Sequence, residues 1–256
     1  MPSIRRYLPL TAVVLALPLA PPAFADGAGS IASAPTVVYE QQSFGNTADP
    51  NTSSEGCGGG RHAWWSLPTS AGDRITVDFE GTGAEYARVW PVGTTDFNVE
   101  DKNYRETKHL GSNDKAQLVF TSPQTGTMPL EFTTDICNFS VSGEPGSYDF
   151  TAYVRHAVRL AVPRRESVSR VATMRIGAHT PDGASINDPS LVVTLQAHNR
   201  GGKFRRVGSA SVQDGRATVS YTLPKSWRKH DVYLRAVATG PNYVTETSPT
   251  QHSVVK

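Results

Sequence analysis

The sequence predicts an all-β protein built from two β-sandwich domains. Short runs of alternating apolar and polar residues, separated by clusters of turn-forming residues, recur along most of the 256 residues, and no window shows a capped helical period. Charge also changes sign along the chain. Residues 26–155 contain 17 Asp and Glu against 8 Lys and Arg, a net −9, whereas residues 156–256 contain 6 against 15, a net +9. This asymmetry predicts a domain boundary near residue 156.

The first half contains the short, regularly spaced runs typical of a sandwich or jelly roll. Ile75, Val77 and Phe79 alternate with polar residues, which predicts one face in a core and one in water. Residues 45–60 are rich in Gly, Asn, Asp, Ser and Thr and are predicted to form a loop. Strands are predicted at 36–40, 63–67, 74–79, 86–92, 117–121, 128–133, 138–141 and 148–154.

Residues 64–77 combine paired tryptophans, an Ala-Gly-Asp turn and an alternating strand. This stretch resembles a hairpin of bacterial pre-peptidase C-terminal-type domains, and residues 120–127 and 146–154 resemble the closing strands of that family. The resemblance implies a jelly-roll-like sandwich over residues 36–156. It also implies a non-catalytic module of a secreted protein, a kind of module often found beside hydrolases.

The second half has seven strand candidates in about 100 residues, a spacing typical of an immunoglobulin-like sandwich. Glycines in the segment 199–203 predict the tip of a hairpin. The patterns at 193–196, 201–204, 214–217 and 233–236 resemble bacterial Ig-like repeats of secreted actinobacterial proteins, which implies such a sandwich over 157–256. The strands are predicted at 158–162, 168–178, 191–198, 204–209, 217–223, 231–238 and 243–255.

Residues 1–25 have the plan of a secretory signal peptide. Arg5 and Arg6 precede an apolar run over 8–19, and Ala-Phe-Ala at 23–25 offers a cleavage site. An uncleaved anchor is the alternative, although the run is short for a membrane span. We therefore expect a secreted, extracellular protein with no membrane span in the mature chain and a flexible linker over 26–35.

The two cysteines, Cys57 and Cys137, are expected to form a disulfide because a secreted protein matures in an oxidising compartment. Closing a loop of this length would stabilise the fold by about 4 kcal/mol in the chain-entropy model. Two buried free thiols are the alternative.

Catalytic motifs are absent from the sequence. It contains no His-Glu-x-x-His, Gly-x-Ser-x-Gly or Walker-type loop, and its seven histidines lack metal-ligand spacing. A Ser-His-Asp site assembled only in space stays open at this point. We expect a protein that is not an enzyme and that needs no cofactor, unless calcium is bound.

Calcium binding is suggested by one polar segment. Asp96, Asn98, Glu100 and Asp101 place oxygen ligands close together, as hard cations prefer. The segment lacks the glycine at the sixth position and the carboxylate at the twelfth position of an EF-hand loop. A solvated acidic loop is therefore the alternative interpretation.

Sugar binding is suggested by Tyr86, Arg88 and Trp90, which share one face of a predicted strand. An exposed aromatic ring beside an arginine would stack on a sugar ring, whereas core packing would use the same residues. Adjacent Trp64 and Trp65 must point to opposite faces of their strand.

A basic patch is predicted around Arg200, Lys203, Arg205 and Arg206. It fits an acidic polymer, or alternatively it lies against the acidic first half of the chain. The sequence thus predicts a secreted, non-catalytic binding or accessory protein for an extracellular protein or polysaccharide. A calcium-dependent carbohydrate-binding module and an adhesin for acidic polymers are the alternatives, and nucleic acid is not an expected partner.

Overall fold

The computed structural model describes residues 27–28, 30–46, 62–81, 86–95, 104, 106–109, 115–133 and 147–256. These residues form β-strands, which confirms the predicted all-β class, together with short 3₁₀ turns. No helix among them is long and apolar enough to cross a membrane. The first sandwich contains β1 (Gln42–Asn46), β2 (His62–Thr69), β3 (Arg74–Gly81), β4 (Tyr86–Val89), β5 (Glu106–His109), β6 (Lys115–Thr121), β7 (Gly126–Thr133) and β8 (Ser147–Arg155).

Two four-stranded antiparallel sheets form the first sandwich. One has the order β1-β8-β3-β6 and the other β2-β7-β4-β5. Their facing side chains bury a core rich in aromatic residues, with Phe132 stacked on Tyr148 at 4.2 Å between ring centroids and Trp65 edge-on to Phe150 at 5.0 Å. Ile75, Val77 and Phe79 point into this core, which confirms the predicted alternation of β3.

The expected hairpin over residues 64–77 does not form. β2 pairs with β7, whereas β3 pairs with β6 and β8, so the turn at 70–73 leads from one sheet to the other. A tight turn and an alternating pattern are common to hairpins and to sheet-crossing corners. Strand partners are set by the packing of the whole sandwich, which local sequence does not encode.

Two strand predictions in the first half are corrected by the structure. Residues 36–40 contribute only an isolated bridge between Thr36 and Ser66, and the regular strand is β1, a few residues later. β5, which pairs with β4, lies in a segment that was not predicted as strand. The predicted strand at 138–141 lies outside the described residues.

The second sandwich buries a separate core, formed by residues between Val158 and Val255. Its strands follow the order β10-β17-β15-β12-β13-β14-β11-β9, with β16 beside β15. They are β9 (Arg159–Ala161), β10 (Ser167–Val168), β11 (Val171–His179), β12 (Val192–Asn199), β13 (Arg205–Gln213), β14 (Arg216–Thr222), β15 (Asp231–Thr239), β16 (Glu246–Thr247) and β17 (Gln251–Val255).

Strand β13 belongs to both layers of the second sandwich. Its beginning pairs with β12 and its end with β14. The segment between β12 and β13 is the predicted hairpin tip, where Gly201 has φ +77°. The turn from β13 to β14 uses Asp214 and Gly215, both with positive φ, as a two-residue hairpin requires.

Candidate functional site

The predicted sugar-binding residues lie together on the outward side of the sheet β2-β7-β4-β5. The guanidinium of Arg88 lies 5.1 Å from the ring of Tyr86 and 5.5 Å from the ring of Tyr104. Trp90 contacts Tyr104 on one side and Trp64 on the other, at 6.0 Å between centroids in each case. These contacts form a continuous cluster of rings around one arginine.

Trp90 is nevertheless buried, with 3% of its surface exposed, and Trp64 is fully buried. The ring of Trp90 therefore packs inside the protein and does not form the exposed platform that stacking on a sugar requires. The interpretation of Trp90 as a packing residue fits the structure. Trp65 points into the sandwich core and Trp64 to the opposite face of β2, as their adjacent positions require.

Glu131 of β7 lies at the centre of this cluster. A hydrogen bond of 2.5 Å joins its Oε1 to Nδ1 of His62, and its Oε2 accepts a hydrogen bond of 2.7 Å from Nε1 of Trp90. A nitrogen of Arg88 lies 3.7 Å from the same carboxylate. Glu131 and His62 are both fully buried, so this His–carboxylate pair is not exposed to the solvent.

Register explains why these groups meet. On β7, Leu130 and Phe132 face the core, so Glu131 faces the other way, directly opposite Trp64 on β2 and Arg88 on β4. Sequence reasoning identified Arg88 but missed His62 and Glu131. A glutamate in the middle of an apolar strand was the available signal, because a buried carboxylate requires partners.

Several predicted features lie outside the described residues. These are the signal peptide at 1–25, the disulfide cysteines Cys57 and Cys137, and the calcium ligands Asp96, Asn98, Glu100 and Asp101. Within the described ranges, no group of three or more His, Cys, Asp and Glu side chains is placed to hold a metal ion.

A polar groove of about 410 Å³ crosses the outward face of the sheet β1-β8-β3-β6. Gln117 donates a 2.7 Å hydrogen bond to Asp78, and Gln42 donates one of 2.6 Å to Asp149. Lys115 forms an exposed ion pair with another carboxylate of the groove, that of Glu80, at 2.8 Å. Each carboxylate of the groove thus already has a donor on a neighbouring strand.

The predicted basic patch surrounds the hairpin tip between β12 and β13. Arg200, Lys203, Arg205 and Arg206 are all exposed. We call these four residues the basic surface. The structure brings them together because the hairpin places the end of one strand beside the beginning of the next.

Aromatic rings support the basic surface from beneath. Arg205 lies over the ring of Trp227 at 4.3 Å, and Arg235 lies over Phe204 at 3.9 Å. His198 packs edge-on against Phe204 and is stacked on Tyr233 at 4.8 Å. Two guanidinium groups are therefore positioned by cation–π contacts. Nε of Arg235 also donates a 2.9 Å hydrogen bond to Oε1 of Gln196, whereas stacking on Trp227 leaves the planar N–H donors of Arg205 for other partners.

Positive charge in the second sandwich is not paired with the carboxylates that the structure describes. None of its lysines and arginines forms an ion pair with a carboxylate in the described part of the chain. The alternative interpretation places the basic patch against the acidic first half of the chain. Among the described residues, no ion pair joins a lysine or arginine of the second sandwich to that half. The uncompensated charge is available to an anionic partner.

The two sandwiches are joined at Asp73, a buried residue that is 2% exposed. Oδ1 accepts a hydrogen bond from the backbone N–H of Ala157 at 3.1 Å, and Oδ2 accepts one from that of Ser70 at 2.9 Å. Oδ2 also lies 3.3 Å from Nδ1 of His156. The backbone of His156 is in turn held by Asn242 and Val244 of the second sandwich.

This junction predicts a pH-dependent contribution to stability. The hydrogen bond to Asp73 raises the pKa of His156 above its ordinary value of 6.5, against an opposing effect of partial burial. Because the folded-state pKa is raised, the contribution is fully present below about pH 6.5 and is lost as the pH rises through the raised value. His156→Ala should therefore reduce the free energy of unfolding by less than about 1 kcal/mol in acid, since the ring is half exposed.

Urea unfolding of the wild type and His156→Ala, at about pH 5.5 and about pH 8.5, measures this effect. The difference between the two proteins should be larger at the lower pH. When both proteins also carry Asp73→Asn, the effect of His156→Ala on the free energy of unfolding should no longer depend on pH. A difference that grows towards alkaline pH would contradict the assignment of the Asp73–His156 pair.

Comparisons with known proteins leave the family open. No protein-family model and no curated protein matches the chain. Among solved structures, it is similar to the glycoside hydrolase domain of Endo-D from Streptococcus pneumoniae R6, with 12% identity, 75% of this chain and 31% of that chain covered, and a TM-score of 0.25. It is also similar to the β-glucuronidase of Parabacteroides merdae, with 15% identity, 76% of this chain and 27% of that chain covered, and a TM-score of 0.23. The third similar structure contains the FN1-FN3 domains of chicken CNTN1, with 12% identity, 77% of this chain and 62% of that chain covered, and a TM-score of 0.26.

This chain thus spans less than a third of the two glycosidase chains. Likenesses at these TM-scores carry no argument about function. None of the three structures is a pre-peptidase C-terminal domain, and that resemblance stays a prediction.

Proposed function

We propose that this chain is a secreted, non-catalytic binding protein whose basic surface contacts an anionic polymer outside the cell or in the cell envelope. One observation carries the proposal. The second sandwich has a net charge of +9 over residues 156–256, and none of its Lys and Arg side chains pairs with a described carboxylate.

The side-chain chemistry of the basic surface supports an oxyanion ligand. Three of its four cations are arginines, whose planar guanidinium groups match the geometry of phosphate, sulfate and carboxylate groups. Cation–π contact with Trp227 fixes one face of Arg205 without occupying its N–H donors. Arg205 therefore loses little further conformational freedom when an anion binds.

Several contacts of this kind add up along a polymer. A single exposed ion pair contributes only about 0 to 1 kcal/mol, so one anionic group would bind weakly. A polymer displaces counterions at every contact, and its affinity falls steeply as salt concentration rises. The arrangement of several cations around one hairpin tip favours such a polymer over an isolated anion.

The test is binding of the intact chain to dextran sulfate, with neutral dextran as the matched control ligand. We expect binding to dextran sulfate alone, with log affinity falling linearly as log salt concentration rises. Arg205→Ala with Arg206→Ala should weaken binding about tenfold or more at about 50 mM salt, and should reduce the salt slope by about two.

Arg155→Ala supplies the control variant, because this exposed arginine ends β8 on the first sandwich. It should leave the affinity nearly unchanged. Absence of binding at low salt, or binding that does not depend on salt, would overturn the proposed ligand. Hydrolytic turnover in an unbiased substrate screen, abolished by one point substitution, would overturn the non-catalytic assignment.

A further inference from the structure

A second cationic site lies at the other end of β13 from the basic surface. A groove of about 630 Å³ opens on the outward face of β11, β14 and the end of β13. Its polar lining contains two arginines, two hydroxyl groups, an amide and a carboxylate, from Arg175, Arg216, Ser211, Thr218, Gln213 and Asp214. All six residues are exposed, so the groove is open to solvent.

Register places the two arginines on either side of one space. Arg175 of β11 lies opposite Thr218 of β14, and Arg216 lies opposite Gly177. Arg175 and Arg216 are therefore diagonal neighbours on one face, roughly 7–8 Å apart at the backbone. The space beside Gly177, across from Arg216, is occupied by the ring of His179, since a Cβ on Gly177 would lie 2.8 Å from Nε2 of that histidine.

The charge of this groove is not neutralised. Arg175 and Arg216 form no ion pair with a carboxylate among the described residues, and Asp214 is the single acidic residue of the lining. Two guanidinium groups against one carboxylate leave a net positive groove. The hydroxyls of Ser211 and Thr218 supply neutral donors beside them, so the groove fits an oxyanion.

Strand β13 connects the groove to the basic surface. Arg206 donates a hydrogen bond to the hydroxyl of Ser209, and Ser209, Ser211 and Gln213 follow on the outward side because Val212 is buried. From Arg206 to Gln213 the strand spans roughly 23 Å. One linear polymer that follows the twist of β13 would reach both sites, whereas a short anion would reach one.

We propose that Arg175 and Arg216 form a second oxyanion-binding site that engages the same linear polyanion as the basic surface. This inference rests on the proposed function and adds residues that sequence reasoning did not single out. The ligand class is a polyanion recognised through its charged groups and not through bases. The aromatic rings next to the basic surface already have stacking partners, which favours that class over a ligand that stacks its bases. Arg205 covers Trp227, Arg235 covers Phe204 and His198 is stacked on Tyr233.

The test measures polyanion binding by an intact double variant that carries both Arg175→Ala and Arg216→Ala, in comparison with the wild type. Long-chain inorganic polyphosphate and tripolyphosphate are the probes, together with dextran sulfate. For the two long polymers, we expect affinity to fall about tenfold and the salt slope to drop by about two. Tripolyphosphate, which is too short to reach both ends of β13, should bind the wild type far more weakly than long polyphosphate.

A matched double variant removes the same charge elsewhere. Arg164→Ala with Arg165→Ala changes two exposed arginines outside both sites. This control should retain most of the affinity. An equal loss in both double variants would mean that net charge alone is measured, and the site would be overturned.

The remaining outcomes separate this inference from the proposed function. Loss of affinity in the Arg205/Arg206 variant, with unchanged affinity in the Arg175/Arg216 variant, would overturn the second site and leave the first. Absence of any polyanion binding by the wild type would overturn both. Tighter binding of single-stranded oligo(dT) than of polyphosphate of equal charge would overturn the ligand class.

Discussion

Replacing Glu131 by alanine is expected to reduce the free energy of unfolding of the first sandwich by about 3–5 kcal/mol. The substitution removes the carboxylate that His62 and Trp90 share as a hydrogen-bond partner and that lies 3.7 Å from a nitrogen of Arg88. A buried polar group that loses a hydrogen bond retains the cost of its desolvation, so the loss exceeds that of an exposed pair.

Urea denaturation followed by tryptophan fluorescence measures this loss, because Trp64 and Trp90 both belong to the cluster. Glu131→Gln keeps the shape and one carbonyl acceptor and should be intermediate. Glu80→Ala is the control, since Glu80 forms an exposed ion pair with Lys115 and should cost at most about 1 kcal/mol. If Glu131→Ala costs no more than this control, the cluster does not stabilise the sandwich.

Gly208→Ala should be the most damaging single-methyl change in the second sandwich. A Cβ at this position would lie 2.2 Å from the carbonyl oxygen of Ser220 and 3.0 Å from a methyl group of Val219. The backbone of β14 at Ser220 would have to move away from β13. Overpacking of this kind costs about 1–3 kcal/mol or more, because the clash is with backbone and not with a flexible side chain.

The melting temperature of Gly208→Ala, monitored by circular dichroism, tests this expectation. Ser211→Ala on the same strand is the matched control, since its side chain is exposed and its substitution should change stability by less than about 0.5 kcal/mol. A melting temperature of Gly208→Ala equal to that of the control would show that β14 yields to the added methyl group.

Local sequence was sufficient to predict much of the second sandwich. The hairpin tip predicted at 199–203 forms between β12 and β13, and Gly201 there adopts the positive φ that such a turn requires. The basic surface was predictable as well, because the residues around that tip are close in the chain. Residues 243–255 were predicted as one strand and form β16 and β17, since pairing with β15 is interrupted between them.

Contacts between distant residues could not be predicted in the same way. His62 and Glu131 lie 69 positions apart, and Arg175 and Arg216 are brought together only by the pairing of β11 with β14. Burial of Trp90 likewise depends on Tyr104 and Trp64. An alternating strand has two faces, and its sequence does not say what covers the outward one.

The all-β class, the alternation of buried and exposed residues and the opposite charges of the two halves follow from residue type and spacing, so they are readable in the sequence. Strand pairing was needed to show that residues 64–77 cross between sheets, that Trp90 is buried beside Glu131, and that two arginines line one groove at the far end of β13. Strand partners are chosen by the packing of the whole sandwich, so residues far apart in the chain become neighbours only after every strand has its place.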